Sequence, residues 1–172
     1  MKRAFCGVIQ MNGKLRNMAS IYIIHNENIL MLYRIGSRVV PPSWCGIGGH
    51  FECNELNDAR ACVLRELEEE MHLTKSNIRN IELRYITLRL KNGEVRQNYY
   101  FFADLQEDVT VSLACDEGRP EWVPLGKVNE LEMPFTSQYV LRHYMETGRY
   151  TNILYGGIAS NNDVQFEELN EF

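Results

Sequence analysis

The chain has 172 residues, 45% of them hydrophobic and 24% charged, with a formal net charge of −5. That length suits one domain able to bury a core unaided, and the acidic balance argues against nucleic acid or an anionic membrane surface as a general partner. Five cysteines (Cys6, Cys45, Cys53, Cys62 and Cys115), an odd count, form no C-x-x-C pair, so zinc spacing is absent, and in a chain of this size they suit reduced thiols in a cytoplasmic protein better than a disulfide framework. The apolar run in MKRAFCGVIQMNGK is too short for a signal peptide, and no other run is long enough to span a membrane.

Residues 1–17 fit the later pattern poorly and read as an extension ahead of a single domain over 18–172. Met18 opens MASIYIIHNENILMLYR, two predicted strands around a turn at His25-Asn26-Glu27-Asn28. After VVPPSWCGIGG comes a short predicted strand from Ile47 to Phe51. A helix is expected next, with Asn57 or Asp58 as N-cap and Ala61, Leu64, Leu67 and Met71 as its buried stripe. IELRYITLRL and EVRQNYYFFADL flank Lys91-Asn92-Gly93, and Asn-Gly between such runs signals a hairpin. EWVPL reads as another short strand. FTSQYVLRHYMET (135–147) carries a helical period that Gly148 stops. TNILYGGIA and VQFEEL make a last hairpin around 160–163. Strands, helix, strands, helix, strands predict an α/β sandwich with a sheet between helices.

The chemistry gathers on the first helix. Glu66, Glu69 and Glu70 stand at i, i+3 and i+4, so they share one face. Like charges so placed destabilise a bare helix. Either they are solvated or something positive sits among them. A hard divalent cation takes carboxylate oxygens together with substrate phosphate and water, so the cluster suits Mg²⁺ or Mn²⁺. Gly48-Gly49 allows close backbone approach to a ligand. Glu55 follows on a loop, and Arg65 is able to hold a carboxylate bidentately. Trp44, Tyr99 and Phe135 are candidates to stack a base, with core packing as their ordinary alternative.

These residues resemble the Nudix box, G-x5-E-x7-R-E-U-x-E-E-x-G-U with U aliphatic. Gly49 to Glu55 matches its opening, Arg65 to Glu70 matches R-E-U-x-E-E, and Leu73 matches its last U. Two positions depart: nine residues rather than seven separate Glu55 from Arg65, and His72 stands where the box has glycine. The resemblance covers roughly residues 18–169 and implies the Nudix α/β/α sandwich with a mixed sheet. It also implies hydrolysis of a nucleoside diphosphate linked to a group X. By position, the Gly48 carbonyl and the carboxylates of Glu66, Glu69, Glu70 and Glu117 would hold Mg²⁺ or Mn²⁺, and Glu69 or Glu66 would act as base. Glu117 enters because CDEGRPEWV resembles the acidic loop and tryptophan strand of the MutT-like branch. That branch includes enzymes that remove oxidised purine triphosphates such as 8-oxo-dGTP. Yet Trp44 is followed by Cys45 rather than asparagine, and Phe135-Thr136-Ser137 replaces paired aspartates, so those base-reading contacts are missing. The leading expectation is cleavage of a nucleoside triphosphate to monophosphate and pyrophosphate. An ADP-ribose or NDP-sugar pyrophosphatase and a non-catalytic nucleotide sensor are the alternatives. The partner expected is a small-molecule nucleotide, and the oligomeric state, monomer or homodimer, is left open.

Overall fold

The computed structural model describes residues 13–35 and 41–171. Most of the expected extension, residues 1–12, lies outside them. Within them nine strands and two α-helices alternate as strands, helix, strands, helix, strands. β1 (Lys14–His25) and β2 (Asn28–Arg34) form the first hairpin, with His25 paired to Asn28. Its two loop residues, Asn26 and Glu27, both take positive φ, the geometry that matches the right-handed twist of paired strands. β5 (Ile78–Lys91) and β6 (Glu94–Leu105) repeat the device with Asn92 and Gly93. The shorter strands are β3 (Ser43–Cys45), β4 (Ile47–His50), β7 (Gly118–Pro124), β8 (Leu154–Ala159) and β9 (Val164–Leu169).

The sheet runs β3-β2-β1-β6-β5-β8-β9, with β4 added to β1 and β7 to β2. β1–β6 and β5–β8 are parallel and the remaining pairs antiparallel, so the sheet is mixed. Side chains alternate between its faces. On one face Ala19, Ile21 and Ile23 pack with Cys62, Val63, Leu67 and Met71 of α1 (Ala59–Met71). On the other, Tyr22 joins Tyr85, Tyr100, Phe102 and the inner side of α2 (Phe135–Glu146) at Val140, Leu141 and Tyr144. This is the expected sandwich. No helix among the described residues is long and apolar enough to cross a membrane.

Two features, the start of β1 and the inward stripe of α1, differ from the sequence expectation. β1 starts at Lys14, ahead of Met18, because Lys14–Asn17 pair in parallel with Glu94–Gln97 of β6. Leu15 there is exposed, so backbone pairing rather than burial makes it strand, and no local pattern announces a partner so distant in sequence. On α1, Ala61 is exposed and Leu64 only half-buried, while Cys62, Val63, Leu67, Glu70 and Met71 are buried. The inward stripe therefore descends from Val63 through Leu67 to Glu70 and Met71, and it turns Glu70 toward the sheet.

The ends of α1 are well specified. Asp58 Oδ1 accepts from the Ala61 N–H at 3.0 Å, a side-chain N-cap. At the other end His72 adopts the left-handed conformation, φ 55° and ψ 27°, and its N–H reaches the Glu68 carbonyl at 3.0 Å. The backbone takes the shape that a glycine takes at low cost, so the imidazole carries the steric cost instead. We expect His72→Gly to raise stability by about 0.5–1 kcal/mol, the relief of left-handed strain less the extra freedom of glycine in the unfolded chain. Urea denaturation measures it, and a lower midpoint would mean that imidazole contacts outweigh the strain.

Candidate active site

The site is built where β4 meets α1. Gly48 has φ +151°, and a Cβ on it would lie 2.0 Å from the Ala19 carbonyl oxygen. A Cβ on Gly49 would lie 2.3 Å from Glu66 Oε1. The two glycines thus let β4 pair closely with β1 on one side and receive a helix carboxylate on the other. The Gly48 N–H donates to Glu70 Oε2 at 3.2 Å.

After β4 a short 3-10 turn, Cys53–Glu55, buries Glu55 to 4% exposure. Arg65 clasps it with two bonds, Nε to Oε1 at 2.8 Å and Nη2 to Oε2 at 3.0 Å, a bidentate charge-assisted pair. The Glu52 N–H adds a third donor at 2.9 Å. The other edge of the Arg65 guanidinium reaches Glu66 at 2.9 Å and Glu69 at 2.8 Å, and Nη2 also donates to the His50 carbonyl at 3.1 Å. The extra residues between Glu55 and Arg65 precede the acidic turns of the helix, around Leu56–Asp58 where Leu56 is 63% exposed. The pair between Glu55 and Arg65 is kept.

A second arginine closes the cleft from the opposite side. Arg34, the last residue of β2, bonds both Glu70 and Glu117. It arrives there because β2 pairs with β7 in a register that sets Arg34 against Gly118, next to Glu117. Glu66, Glu69, Glu70, His72, Cys115 and Glu117 line a cavity of about 330 Å³. Burial pushes the Glu70 carboxyl well above its usual range, against the pull of Arg34 and with the push of nearby Glu117. Burial also raises Glu66, opposed by Arg65. By contrast the Arg65 hydrogen bonds hold Glu55 below the ordinary carboxylate value, in spite of its burial.

The cleft therefore has carboxylates that ionise at a cost without more positive charge. Its lining is dominated by carboxylates, with His72 and Cys115 beside them, and carboxylate oxygens are the chemistry that suits a hard divalent cation. Among the described residues no three acidic, cysteine or histidine side chains converge closely enough to hold an ion as they stand. Arg34 and Arg65 draw them onto their own guanidinium groups.

The three aromatic candidates do not form one platform. Tyr99 lies on the α1 face, its ring 5.3 Å from Phe51. Trp44 packs beside Tyr33 at 5.1 Å, against the α2-side core. Phe135 opens α2, with the Arg89 guanidinium 4.4 Å above its ring. Sequence reading missed Arg34. Its only local signal is an arginine closing a strand, and the long-range β2–β7 register gives it meaning.

The sequence profile of the NUDIX domain family matches residues 14–144. Solved structures share the fold. A mutator MutT protein from Bacillus halodurans is 19% identical with a TM-score of 0.61, over 89% of this chain and 97% of that one. A MutT protein from Methanosarcina mazei Go1 is 17% identical with a TM-score of 0.64, over 81% and 99%. An Ap4A hydrolase from C. elegans is 18% identical with a TM-score of 0.61, over 80% and 99%. Comparison with curated proteins finds no match. With most of its length matched by the profile, and the glutamates, arginine and paired glycines of the box assembled around one cleft, the chain belongs to the NUDIX domain family.

Proposed function

We propose that this Nudix pyrophosphohydrolase uses Mg²⁺ or Mn²⁺ to hydrolyse a nucleoside diphosphate linked to X, with nucleoside triphosphates, split to monophosphate and pyrophosphate, as the first class to test. The observation that carries this reading is the single cleft in which Glu66, Glu69 and Glu70 of α1 face Glu117 from a distant loop. Four carboxylates around one cavity repel each other and any phosphate, so the cleft serves an anhydride only with added positive charge. A divalent ion bound by Glu66, Glu69, Glu70, Glu117 and the Gly48 carbonyl would neutralise phosphate oxygens and acidify a water.

The chain's own residues have separable roles in this reading. Glu66 or Glu69 accepts the proton as water attacks phosphorus. Glu66 is the more enclosed, with 13% of its side chain exposed against 59% for Glu69. Glu55 fixes Arg65, and Arg65 fixes both candidate bases, so Glu55 is a positioning residue. Arg34, now bonded to Glu70 and Glu117, would be free to donate to substrate phosphate if those carboxylates held an ion. A panel of nucleotides with Mg²⁺, scored for released phosphate and pyrophosphate, tests the reading. Silence across triphosphates, ADP-ribose and dinucleoside polyphosphates would overturn it.

Removing ligand charge should act on turnover more than on folding. Glu70→Gln is expected to cost at least about 10³ in rate at saturating Mg²⁺, with the far-ultraviolet circular dichroism of the wild type retained. Near-normal turnover would remove Glu70 from the ligand set. Glu117→Gln should lower kcat and raise the Mg²⁺ concentration for half-maximal rate, with stability within about 0.5 kcal/mol because Glu117 is exposed. Superimposable metal titrations would leave the α1 glutamates to act alone.

The Glu55 clasp makes a prediction with a sign in pH. Its carboxyl titrates below the ordinary 4.5 in the folded chain. The unfolded chain thus takes up the proton first, and the clasp's stability is present above about pH 4.5 and lost as pH falls through the depressed value. Glu55→Gln should cost about 2 kcal/mol at pH 7, and the gap to wild type should close on acidification. A gap in urea midpoints that stays constant down to pH 3 would rule the clasp out as its source.

A further inference from the structure

On the α2 face of the sheet three arginines stand side by side. Arg16 of β1 pairs with Arg96 of β6, and Arg96 pairs with Arg89 of β5, so the three are cross-strand neighbours in one row. Like charges directly opposite one another destabilise a sheet. Among the described residues little offsets them. Glu94 is shared among Arg16 at 3.7 Å, Arg96 at 3.3 Å and Lys14 at 3.7 Å, and Arg89 has the Phe135 ring. Nor are these freely solvated surface charges. Only 30% of the Arg16 side chain and 20% of the Arg96 side chain is exposed, against 73% for Lys14 one row away. Among the described residues the Nε of Arg96 is buried without a hydrogen-bond partner, a donor that costs free energy until something accepts from it.

The row is also aligned with the acidic cleft. Gly48 pairs with Ser20, and Arg16 lies four residues back along the same strand, about 13 Å away at ~3.3 Å per residue, on the sheet face opposite α1. Among the described residues β4 pairs only with β1, so a substrate seated in the cleft would reach the row around the free edge of β4. Half-buried, closely set guanidinium groups recognise phosphate above other anions, since each offers a planar pair of donors to its oxygens.

We propose that Arg16, Arg89 and Arg96 form a second phosphate subsite, and that the preferred substrate is a nucleotide carrying a further phosphate remote from the anhydride that is cut. This rests on the pyrophosphohydrolase reading for the cleft and adds what the rest of the substrate must bear. Phe135, held under Arg89, gives the subsite its wall. Two sources supply such a phosphate, an ester on the ribose or the far end of a longer phosphate chain.

Binding without metal isolates the subsite. In EDTA, adenosine 3′,5′-bisphosphate and adenosine 5′-tetraphosphate are titrated against AMP, by calorimetry and by the Arg96 Nε–H signal in ¹⁵N NMR. At least one of the two is expected to bind about tenfold or more tighter than AMP and to shift that signal. The one that does identifies the source. The Arg16→Gln/Arg96→Gln double variant should lose the preference while keeping its melting temperature, since removing like-charge neighbours does not weaken the sheet. Equal binding of all three ligands by wild type overturns the proposal, as does a preference that survives in the double variant. Selective binding with no hydrolysis of any nucleotide in Mg²⁺ would keep the subsite and overturn the reading of the cleft. With Mg²⁺, coenzyme A should be cleaved with higher kcat/KM than dephospho-coenzyme A if the phosphate sits on the ribose.

Discussion

Arg65 joins what would otherwise be three independent pieces. Glu55 belongs to a loop and 3-10 turn, Glu66 and Glu69 to a helix, and His50 to the end of a strand; one guanidinium donates to all four. Its planar fork and permanent charge suit that task, and a lysine would replace the fork with a single point. The neighbouring geometry depends on this junction. Glu66 lies against Gly49 because the helix is drawn onto β4, and Gly49 has no side chain because the carboxylate occupies that space.

The cleft is an arrangement of unbalanced charge held in check by two cations. Arg65 compensates the exposed side of the acidic helix, and Arg34 compensates the buried side through Glu70 and Glu117. Burial makes Glu70 a reluctant anion. An added cation is attracted most strongly to such a place, because the desolvation cost of the carboxylate has already been met by folding. The arginine row on the other side of the sheet is the mirror case, positive charge gathered with a single acid to share.

Much of this was legible in the chain. The hairpins declared themselves through Asn-Gly at 92–93 and through polar turns at 25–28 and 160–163, since these depend on residues within a few positions. The acidic face of α1 did so through spacing, whereas the partner of Arg65 stayed open because two extra residues separate it from Glu55, and the folded loop supplies the pair. Arg34, the early start of β1 and the arginine row did not, because each depends on which strand lies beside which. Arg16 and Arg96 are eighty residues apart and become neighbours only through parallel pairing. The inward stripe of α1 was misread by taking Ala61 as its first member. Alanine suits either side of a helix, and the sheet beneath chose Val63.

The distance along the chain between Arg34 and Glu117, 83 residues, has a consequence for how the protein comes into being. The segment that carries most of the carboxylates is synthesised well before β7. Until β7 pairs with β2, Glu70 has no arginine brought against it by that register, and the acidic helix must exist with its inner charge uncompensated. Non-local strand pairing of this kind is slow compared with helix formation. The nascent chain therefore passes through an interval with an acidic face and no finished cleft. Completion of the cleft is therefore tied to the closing of the sheet between β2 and β7.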